Sequence, residues 1–299
     1  MQTKVKLSWE AASLDAVLRY RALPLLSPSA DYAAANLYMW DETYHQELAF
    51  HEGRAAGRIL EEDGRYRYLF PVGEGEIDGI LDALYEEAIA HDGVLRFVGV
   101  AEEEMPFLQQ KWGDVLEILE TREWEDYLYD AQKLATLSGK KLHGKRNHIN
   151  AFCAAHSYET RMIKREDLPT CLQILAAWRE GREEETAEEL RAIERGFEAF
   201  ETLELVGMLL WADGNPVAFC VGSFITPACV CVHFEKALPG VDGAYPMINR
   251  EFVRALREMY PALQTVNRED DMGLENLRAA KLSYHPEALL RKFDVVVRA

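Results

Sequence analysis

A run of three strand-like segments between residues 203 and 238 constrains the fold of this chain most strongly. The stretch LELVGMLLWADGNPVAFCVGSFITPACVCVHFEKAL turns at Asp213-Gly214 and is broken again near Thr226-Pro227. Asp-Gly is a typical two-residue hairpin turn, and proline interrupts a strand because it has no backbone N–H to donate. The pattern therefore predicts three consecutive antiparallel strands.

The segments around these strands alternate between strand and helix. YETRMIK predicts a strand before them, followed by a helix that opens at Asp167-Leu168-Pro169 and by an acidic helix over residues 183–198. After them, AYPMINREFVRALREMYP is amphipathic, LQTVN is strand-like, LENLRAAKLSY is helical and LLRKFDVVVRA is strand-like. This order, strand, two helices, three antiparallel strands, helix, strand, helix, strand, resembles the fold of the GCN5-related N-acyltransferases (GNAT).

The first part of the chain shows a shorter, strand-rich version of the same plan. Strand-like segments turn at Glu52-Gly53 and Asp63-Gly64, and helical spacing follows over residues 76–93. We therefore predict an α+β protein of two tandem GNAT-like domains, residues 1–130 and 131–299. Each is expected to contain a mixed, mainly antiparallel sheet flanked by helices.

Charge is distributed unevenly along the chain. The formal net charge is −18, yet residues 131–158 contain five Lys or Arg and no acid, which leaves 28 − 51 = −23 for the remainder. Such a balance repels an extended polyanion, so duplex DNA is excluded as a partner. A single phosphate group remains compatible with the local basic stretch.

The compartment is predicted from two further features. No secretory signal and no run of eighteen apolar residues occurs, so no integral membrane segment is expected. The five cysteines include no C-x-x-C pair, and Cys229 and Cys231 alternate as buried residues of a strand do. A reducing cytoplasm fits this usage.

The basic stretch SGKKLHGKRNHIN, residues 138–150, is a candidate anion site. A helix that begins near Gly144 would bring Lys140, Lys141, Lys145 and Arg146 close to its first turn. Open backbone N–H groups and the helix dipole favour a phosphate there. The alternative is a solvated linker whose lysines pair with acidic residues elsewhere.

Two segments carry a family resemblance. LSGKKLHGKRNHINAF (137–152) and TVNREDDMGLENLRAAKLSYHP (265–286) resemble the phosphatidylglycerol lysyltransferase C-terminal-domain-like proteins. That family is similar to the tandem acyltransferase-fold proteins that add amino acids to peptidoglycan precursors or lipids from aminoacyl-tRNA. Its membrane-bound members carry transmembrane helices ahead of this module, and their absence here disfavours a lipid acceptor.

Candidate catalytic residues follow from what acyl transfer requires, a proton acceptor and stabilisation of an oxyanion. Glu235 lies where the third of the antiparallel strands ends, and His233 shares its predicted strand face, so either can serve as the base. The resemblance implies that Tyr284 donates a proton to the leaving group. Lys281 is expected to contact a phosphate or the oxyanion, with core packing as the alternative for Tyr284.

The acidic stretch NREDDMG is a candidate substrate-binding segment. Glu269, Asp270 and Asp271 are expected to bind the ammonium group of an aminoacyl moiety, because carboxylates pair well with cations in a cleft, and the neighbouring Asn267 and Arg268 are further substrate-binding candidates. The alternative is a solvated acidic loop in which Arg268 makes a local salt bridge.

These features predict a transferase that moves an acyl or aminoacyl group to the amine or hydroxyl of a small-molecule acceptor. The resemblance favours aminoacyl-tRNA as donor, with a tRNA acceptor end as partner. Acyl-coenzyme A is second, because the loop with Gly240 and Gly243 has no basic residue and Asp242 opposes a pyrophosphate. No metal site is predicted, because the histidines lack metal-ligand spacing, and no cofactor is certain. The alternative class is a non-catalytic module that binds a phosphorylated small molecule.

Overall fold

Two β-sheets organise the part of the chain that the computed structural model describes, residues 5–181 and 186–298. Each sheet lies in one of two compact units. The first unit runs up to Glu125 and takes in the chain again from Leu290, and the second is Asp126–Leu289. The division into folding domains near residue 130 stays a prediction.

The first unit contains an eight-stranded mixed sheet with helices. Its strands are β1 (Glu10–Ala11), β2 (Gln46–His51), β3 (Arg54–Leu60), β4 (Tyr66–Tyr68), β5 (Val72–Gly73), β6 (Val94–Ala101), β7 (Leu116–Glu120) and the C-terminal β15 (Lys292–Arg298). Its helices are α1 (Leu14–Arg21), α2 (Ala34–Met39), α3 (Asp41–Tyr44), α4 (Asp78–Asp92) and α5 (Met105–Trp112). The order is β1-β2-β3-β4-β6-β15-β7, with β5 paired to β3.

The C-terminal strand differs from its expected place. The order of elements assigned it to the second half, but β15 pairs antiparallel with β6 and β7 of the first sheet. Val295 and Val297 are almost completely buried there. A local sequence pattern predicts an apolar strand here but does not specify which sheet the strand joins, because its partners β6 and β7 lie far away along the chain.

The second unit contains a seven-stranded sheet flanked by helices. Its strands are β8 (Asp126–Asp130), β9 (Tyr158–Met162), β10 (Val206–Ala212), β11 (Asn215–Thr226), β12 (Cys229–Ala237), β13 (Thr265–Asn267) and β14 (Ala288–Leu290). Its helices are α6 (Ala131–Thr136), α7 (His143–Ala155), α8 (Leu168–Arg179), α9 (Ala187–Glu198), α10 (Ala244–Met259) and α11 (Glu275–Leu282). The order is β14-β8-β13-β12-β11-β10-β9.

The predicted run of three antiparallel strands is confirmed as β10, β11 and β12. Asp213 and Gly214 form the first turn, both with positive φ as the tight hairpin requires. The expected helices on either side are also present. The predicted start of the acidic helix, residues 183–185, lies outside the described residues.

The candidate site lies beside the strand pair β12 and β13. These strands are parallel and pair only over Cys229–Cys231 with Thr265–Asn267. Beyond that point β12 continues to Ala237, while β13 ends at Asn267. The candidate side chains of Glu235 and Arg268 lie past the end of this pairing. Among the described residues, no helix is both long and apolar enough to cross a bilayer.

Candidate functional site

Arg268 occupies the centre of the candidate site. Its side chain is only 12% exposed, and its Nη2 atom donates a hydrogen bond of 3.0 Å to Oε1 of Glu235. The guanidinium carbon lies 4.8 Å from the ring centre of Tyr284 and 5.8 Å from that of Tyr129. Its buried Nε and Nη1 atoms donate no hydrogen bond to any described residue. A buried guanidinium with free N–H groups can bind an anion, or it can stabilise negative charge that develops during a reaction.

Glu235 is oriented by a residue that the sequence analysis did not single out. Its Oε2 atom accepts a 2.9 Å hydrogen bond from the side-chain amide of Asn249 in helix α10. Asn249 is completely buried, and its Oδ1 atom accepts no hydrogen bond within the described residues. The sequence did contain a signal for Asn249. This polar residue lies among Ile248, Phe252 and other apolar residues of one helix face, and a buried polar group needs a hydrogen-bond partner.

Tyr284 and Lys145 complete this cluster. The Lys145 ammonium lies 3.9 Å from the ring centre of Tyr284, which is itself buried. Burial raises the pKa of the Tyr284 phenol, with Arg268 opposing it, so the hydroxyl stays protonated and can donate. Burial and the nearby Arg268 guanidinium lower the pKa of Lys145, while Glu235 opposes that shift.

The other three basic residues of the predicted anion site are placed differently from Lys145. Helix α7 begins at His143, close to its predicted start near Gly144. Lys140 and Lys141 precede it and are exposed. Arg146 donates hydrogen bonds to the backbone carbonyls of Leu137 and Gly139 and so holds the turn before the helix. Of the four residues, Lys145 is the one that reaches Tyr284.

The predicted substrate-binding segment after β13 is held by internal contacts. Asn267 is completely buried, donates to Asp126 at 2.8 Å and accepts from the backbone N–H of Glu269 at 2.7 Å. The Lys281 ammonium donates to the carbonyl oxygens of Arg268, at 2.6 Å, and of Asp270. Burial lowers the pKa of Lys281. Both side chains fix the backbone that carries Arg268, and their roles toward substrate stay predictions.

Asp271 also contacts the protein itself. It is completely buried, and it accepts hydrogen bonds from the Tyr127 hydroxyl at 2.5 Å and from Arg278 at 2.8 and 2.9 Å. Burial alone would raise the pKa of this carboxyl, but the bonds from Arg278 and Tyr127 hold it well below its usual range. Asp271 therefore stays ionised and closes the turn, and the prediction that it binds substrate stays a prediction.

A second polar cluster contains His233, the alternative base. Its Nδ1 atom is 2.9 Å from Oε1 of Glu269, and its Nε2 atom is 2.8 Å from the Ser223 hydroxyl. The two candidate bases are thus in different hydrogen-bond networks, His233 with Glu269 and Glu235 with Arg268. The expected alternation of side chains along β12, which would place His233 and Glu235 on one face, is interrupted because the register of β11 and β12 shifts after Val221. Ser223 had no sequence signal, since only the register places it here.

The glycine-rich loop before α10 lies against α7. Gly243 has φ +84°, and a Cβ atom placed on it would be 2.5 Å from the His148 carbonyl oxygen and 2.9 Å from the Phe152 Cβ. Glycine is required because the two helices approach so closely. Asp242 in this loop is exposed. The first turn of α10 is therefore in contact with the helix that carries Lys145.

The architecture is that of the tandem GNAT proteins. The tandem GNAT protein from the clavulanic acid biosynthesis pathway matches with a TM-score of 0.50 at 14% identity over 98% of each chain. L-PGS from Bacillus licheniformis matches with a TM-score of 0.66 at 14% identity, over 95% of this chain and 90% of that one. These likenesses concern the fold, and they confirm the predicted α+β class of two GNAT-like halves.

The sequence match is more specific. The family described as phosphatidylglycerol lysyltransferase, C-terminal, matches residues 24–296, and the chain belongs to this family of transferases. The resemblance found in residues 137–152 and 265–286 is thereby confirmed.

Two other proteins are similar to this chain in sequence. A conserved protein of unknown function from Bacteroides thetaiotaomicron is 32% identical with a TM-score of 0.91, over 98% of this chain and all of that one. An uncharacterised protein of Mycoplasmoides gallisepticum is 29% identical over 178 residues, 58% of this chain. The matched part spans 56% of the length of that curated relative.

Proposed function

We propose that this protein transfers an aminoacyl group from aminoacyl-tRNA to the amine or hydroxyl of a small-molecule acceptor. One observation carries the proposal: the buried Arg268 guanidinium contacts both Glu235 and the Tyr284 ring and keeps two N–H-bearing atoms without an acceptor. Membership of a transferase family supports the reaction class.

The side chains supply what transfer of an ester-linked aminoacyl group needs. The acceptor nitrogen or oxygen attacks the ester carbonyl carbon and loses a proton to the Glu235 carboxylate, which Asn249 orients. The free N–H groups of Arg268, together with the Lys145 ammonium, stabilise the tetrahedral oxyanion. The bond to the ribose oxygen of the terminal adenosine then breaks, and Tyr284 gives that oxygen its proton. Exchange with solvent returns the proton from Glu235 to Tyr284.

The donor assignment is supported by charge and by the loop before α10. Lys140 and Lys141 are exposed beside the start of α7, where they can meet phosphates of a tRNA acceptor end. The close contact of Gly243 with α7 and the exposed Asp242 disfavour the pyrophosphate of coenzyme A at that loop. An acyl-coenzyme A donor is therefore the second candidate. Five unpaired cysteines support a reducing cytoplasm as the compartment.

The experiment is transfer of a radiolabelled amino acid. A charged tRNA pool is incubated with the protein and separate acceptor mixtures of small amines, hydroxyl compounds, peptides and phospholipid vesicles. We expect label in a small-molecule product with wild type and no transfer with Glu235→Gln. Labelling from acyl-coenzyme A thioesters alone would overturn the donor. Binding of aminoacyl-tRNA without turnover under every condition would favour the non-catalytic module.

A further inference from the structure

The cluster around His233 contains three side chains of the types that bind transition metals. The Cys231 thiol is 3.5 Å from Oε1 of Glu269, and Nδ1 of His233 is 2.9 Å from the same oxygen. One ligand atom from each of the three residues lies within 4.8 Å of the other two. Ligand atoms around one tetrahedral ion are separated by distances of this size, because Zn–S is about 2.3 Å and Zn–N and Zn–O are about 2.0 Å.

We propose that Cys231, His233 and Glu269 bind one divalent transition-metal ion, with zinc as the ion that best fits this set of sulfur, nitrogen and oxygen ligands. The proposal does not depend on the transfer reaction. A thiolate and a carboxylate together carry two negative charges, so a bound dication makes the buried site electrically neutral. Three protein ligands leave the fourth tetrahedral position for water or another small ligand.

The surroundings of the three residues fit this role. Nε2 of His233 lies 2.8 Å from the Ser223 hydroxyl, so in the bound state it can carry the ring proton and donate it there, leaving Nδ1 for the metal. Cys231 and the His233 side chain are buried, whereas the Glu269 side chain is 25% exposed and provides access. The Glu269 carboxylate lies beside the Cys231 sulfur and adds a negative charge that favours a cation.

Local backbone geometry brings the ligands together. Ser223 is the partner of Cys231 in the β11 and β12 pairing, and the neighbouring register shift alters the alternation before His233. Gly222 makes this possible, since a Cβ there would lie 2.2 Å from the Cys231 carbonyl oxygen. Bulges of this kind recur beside functional sites.

Two features of this cluster oppose metal binding, and they define the alternative, a hydrogen-bond network without metal. The Lys281 ammonium is bound to the backbone carbonyls of Arg268 and Asp270, on either side of Glu269. Without metal, His233 bridges Ser223 and Glu269 by hydrogen bonds alone. Metal binding must then displace the thiol proton of Cys231, which leaves to solvent, while the single ring proton of His233 moves from Nδ1 to Nε2.

The test uses Co²⁺ as a spectroscopic probe on the full chain after treatment with a chelator. We expect one equivalent of Co²⁺ to produce a thiolate-to-cobalt charge-transfer band and tetrahedral d–d bands, and one equivalent of Zn²⁺ to remove them. Cys231→Ser should abolish the charge-transfer band. Glu269→Gln should weaken Co²⁺ binding by about tenfold or more, in line with losses seen when metal-site residues are changed. Proton release on binding is recorded in weakly buffered solution.

Cys229→Ser is the matched control, because Cys229 is buried on the same strand two residues earlier and lies outside the cluster. It should keep both bands. Far-ultraviolet circular dichroism confirms that each variant is folded, and Glu269→Gln decides the matter if Cys231→Ser does not fold. Absence of a stoichiometric band in wild type, or a band unchanged in both cluster variants, would overturn the proposal and leave a hydrogen-bond network.

Discussion

The Nη2 atom of Arg268 lies 3.0 Å from Oε1 of Glu235, and both side chains are close to nine-tenths buried. Removing one member of such a pair leaves the other charge buried without compensation. We expect Glu235→Gln to lower the free energy of unfolding by about 3 kcal/mol, measured by urea denaturation.

Glu201→Gln is the control for this change. Glu201 pairs with Arg165 at 3.3 Å, but both side chains are more than 60% exposed. Exposed pairs contribute little, so the control should change stability by less than about 1 kcal/mol. Equal effects of the two substitutions would contradict the buried pair.

Lys145 and Lys141 offer a comparison within one basic stretch. Lys145 contacts Tyr284, whereas Lys141 is exposed. Because Lys145 is placed to stabilise the oxyanion and hydrogen bonds to charged groups contribute about 1.5 to 3 kcal/mol, Lys145→Gln should lower the single-turnover transfer rate by about tenfold or more. Lys141→Gln removes one exposed phosphate contact, so it should weaken donor binding by about threefold or less and leave the transfer rate of the bound donor unchanged. Single-turnover transfer and filter binding at fixed salt measure the two effects, and a loss of transfer rate with Lys141→Gln but not with Lys145→Gln would contradict the assignment.

Alanine substitutions at Gly243 and Gly240 distinguish the stability cost of backbone strain from that of steric overlap. Both have φ near +80°, but a Cβ on Gly243 would overlap helix α7, and one on Gly240 has nothing within 4 Å. Gly240→Ala should cost about 1 kcal/mol, the penalty of the left-handed conformation. Gly243→Ala should cost roughly 3 kcal/mol or more, because overpacking adds to it. Thermal and urea unfolding test this, and equal costs would contradict the close contact of α7 and α10.

Glu104 in the first unit provides a test of pH dependence. It is buried and accepts hydrogen bonds from the Tyr32 hydroxyl at 2.6 Å and the backbone N–H of Ala101 at 2.9 Å. Burial raises the pKa of this carboxyl to about 7, although both hydrogen bonds oppose the shift. The folded chain therefore keeps a proton that the unfolded chain loses at lower pH.

The stabilisation from this protonated carboxyl is complete below the unfolded pKa and disappears as pH rises through about 7. Between roughly pH 5 and pH 7, wild type should lose ~1.4 kcal/mol of unfolding free energy per pH unit relative to Glu104→Gln. Glu103→Gln, at an exposed neighbouring residue, should follow wild type. A wild-type profile parallel to that of Glu104→Gln would show that the carboxyl titrates normally.

Local patterns predicted much of the second unit. The Asp213-Gly214 turn and the apolar segments around it define β10 and β11, and the helix carrying Lys145 begins one residue before the predicted Gly144. Hairpin turns and helix starts depend on neighbouring residues, so sequence is sufficient for them.

Relationships between distant residues could not be predicted in the same way. The place of β15 in the first sheet depends on its pairing with β6 and β7, which lie far away along the chain, and the separation of His233 from Glu235 depends on a register shift. The contacts of Lys281 with two backbone carbonyls depend on the path of the loop after β13. None of these is encoded in spacing along the chain.

Single-turnover transfer from a purified charged tRNA, compared between wild type and Tyr284→Phe, tests the proposed reaction at its proton donor. Tyr284→Phe keeps the ring that Lys145 and Arg268 contact but removes the proton donor. We expect donor affinity to change by less than about threefold and the transfer rate to fall by about a hundredfold, the usual contribution of general acid catalysis. Equal transfer rates for the two proteins would contradict the assignment of Tyr284, and release of label from neither protein would contradict aminoacyl-tRNA as the donor.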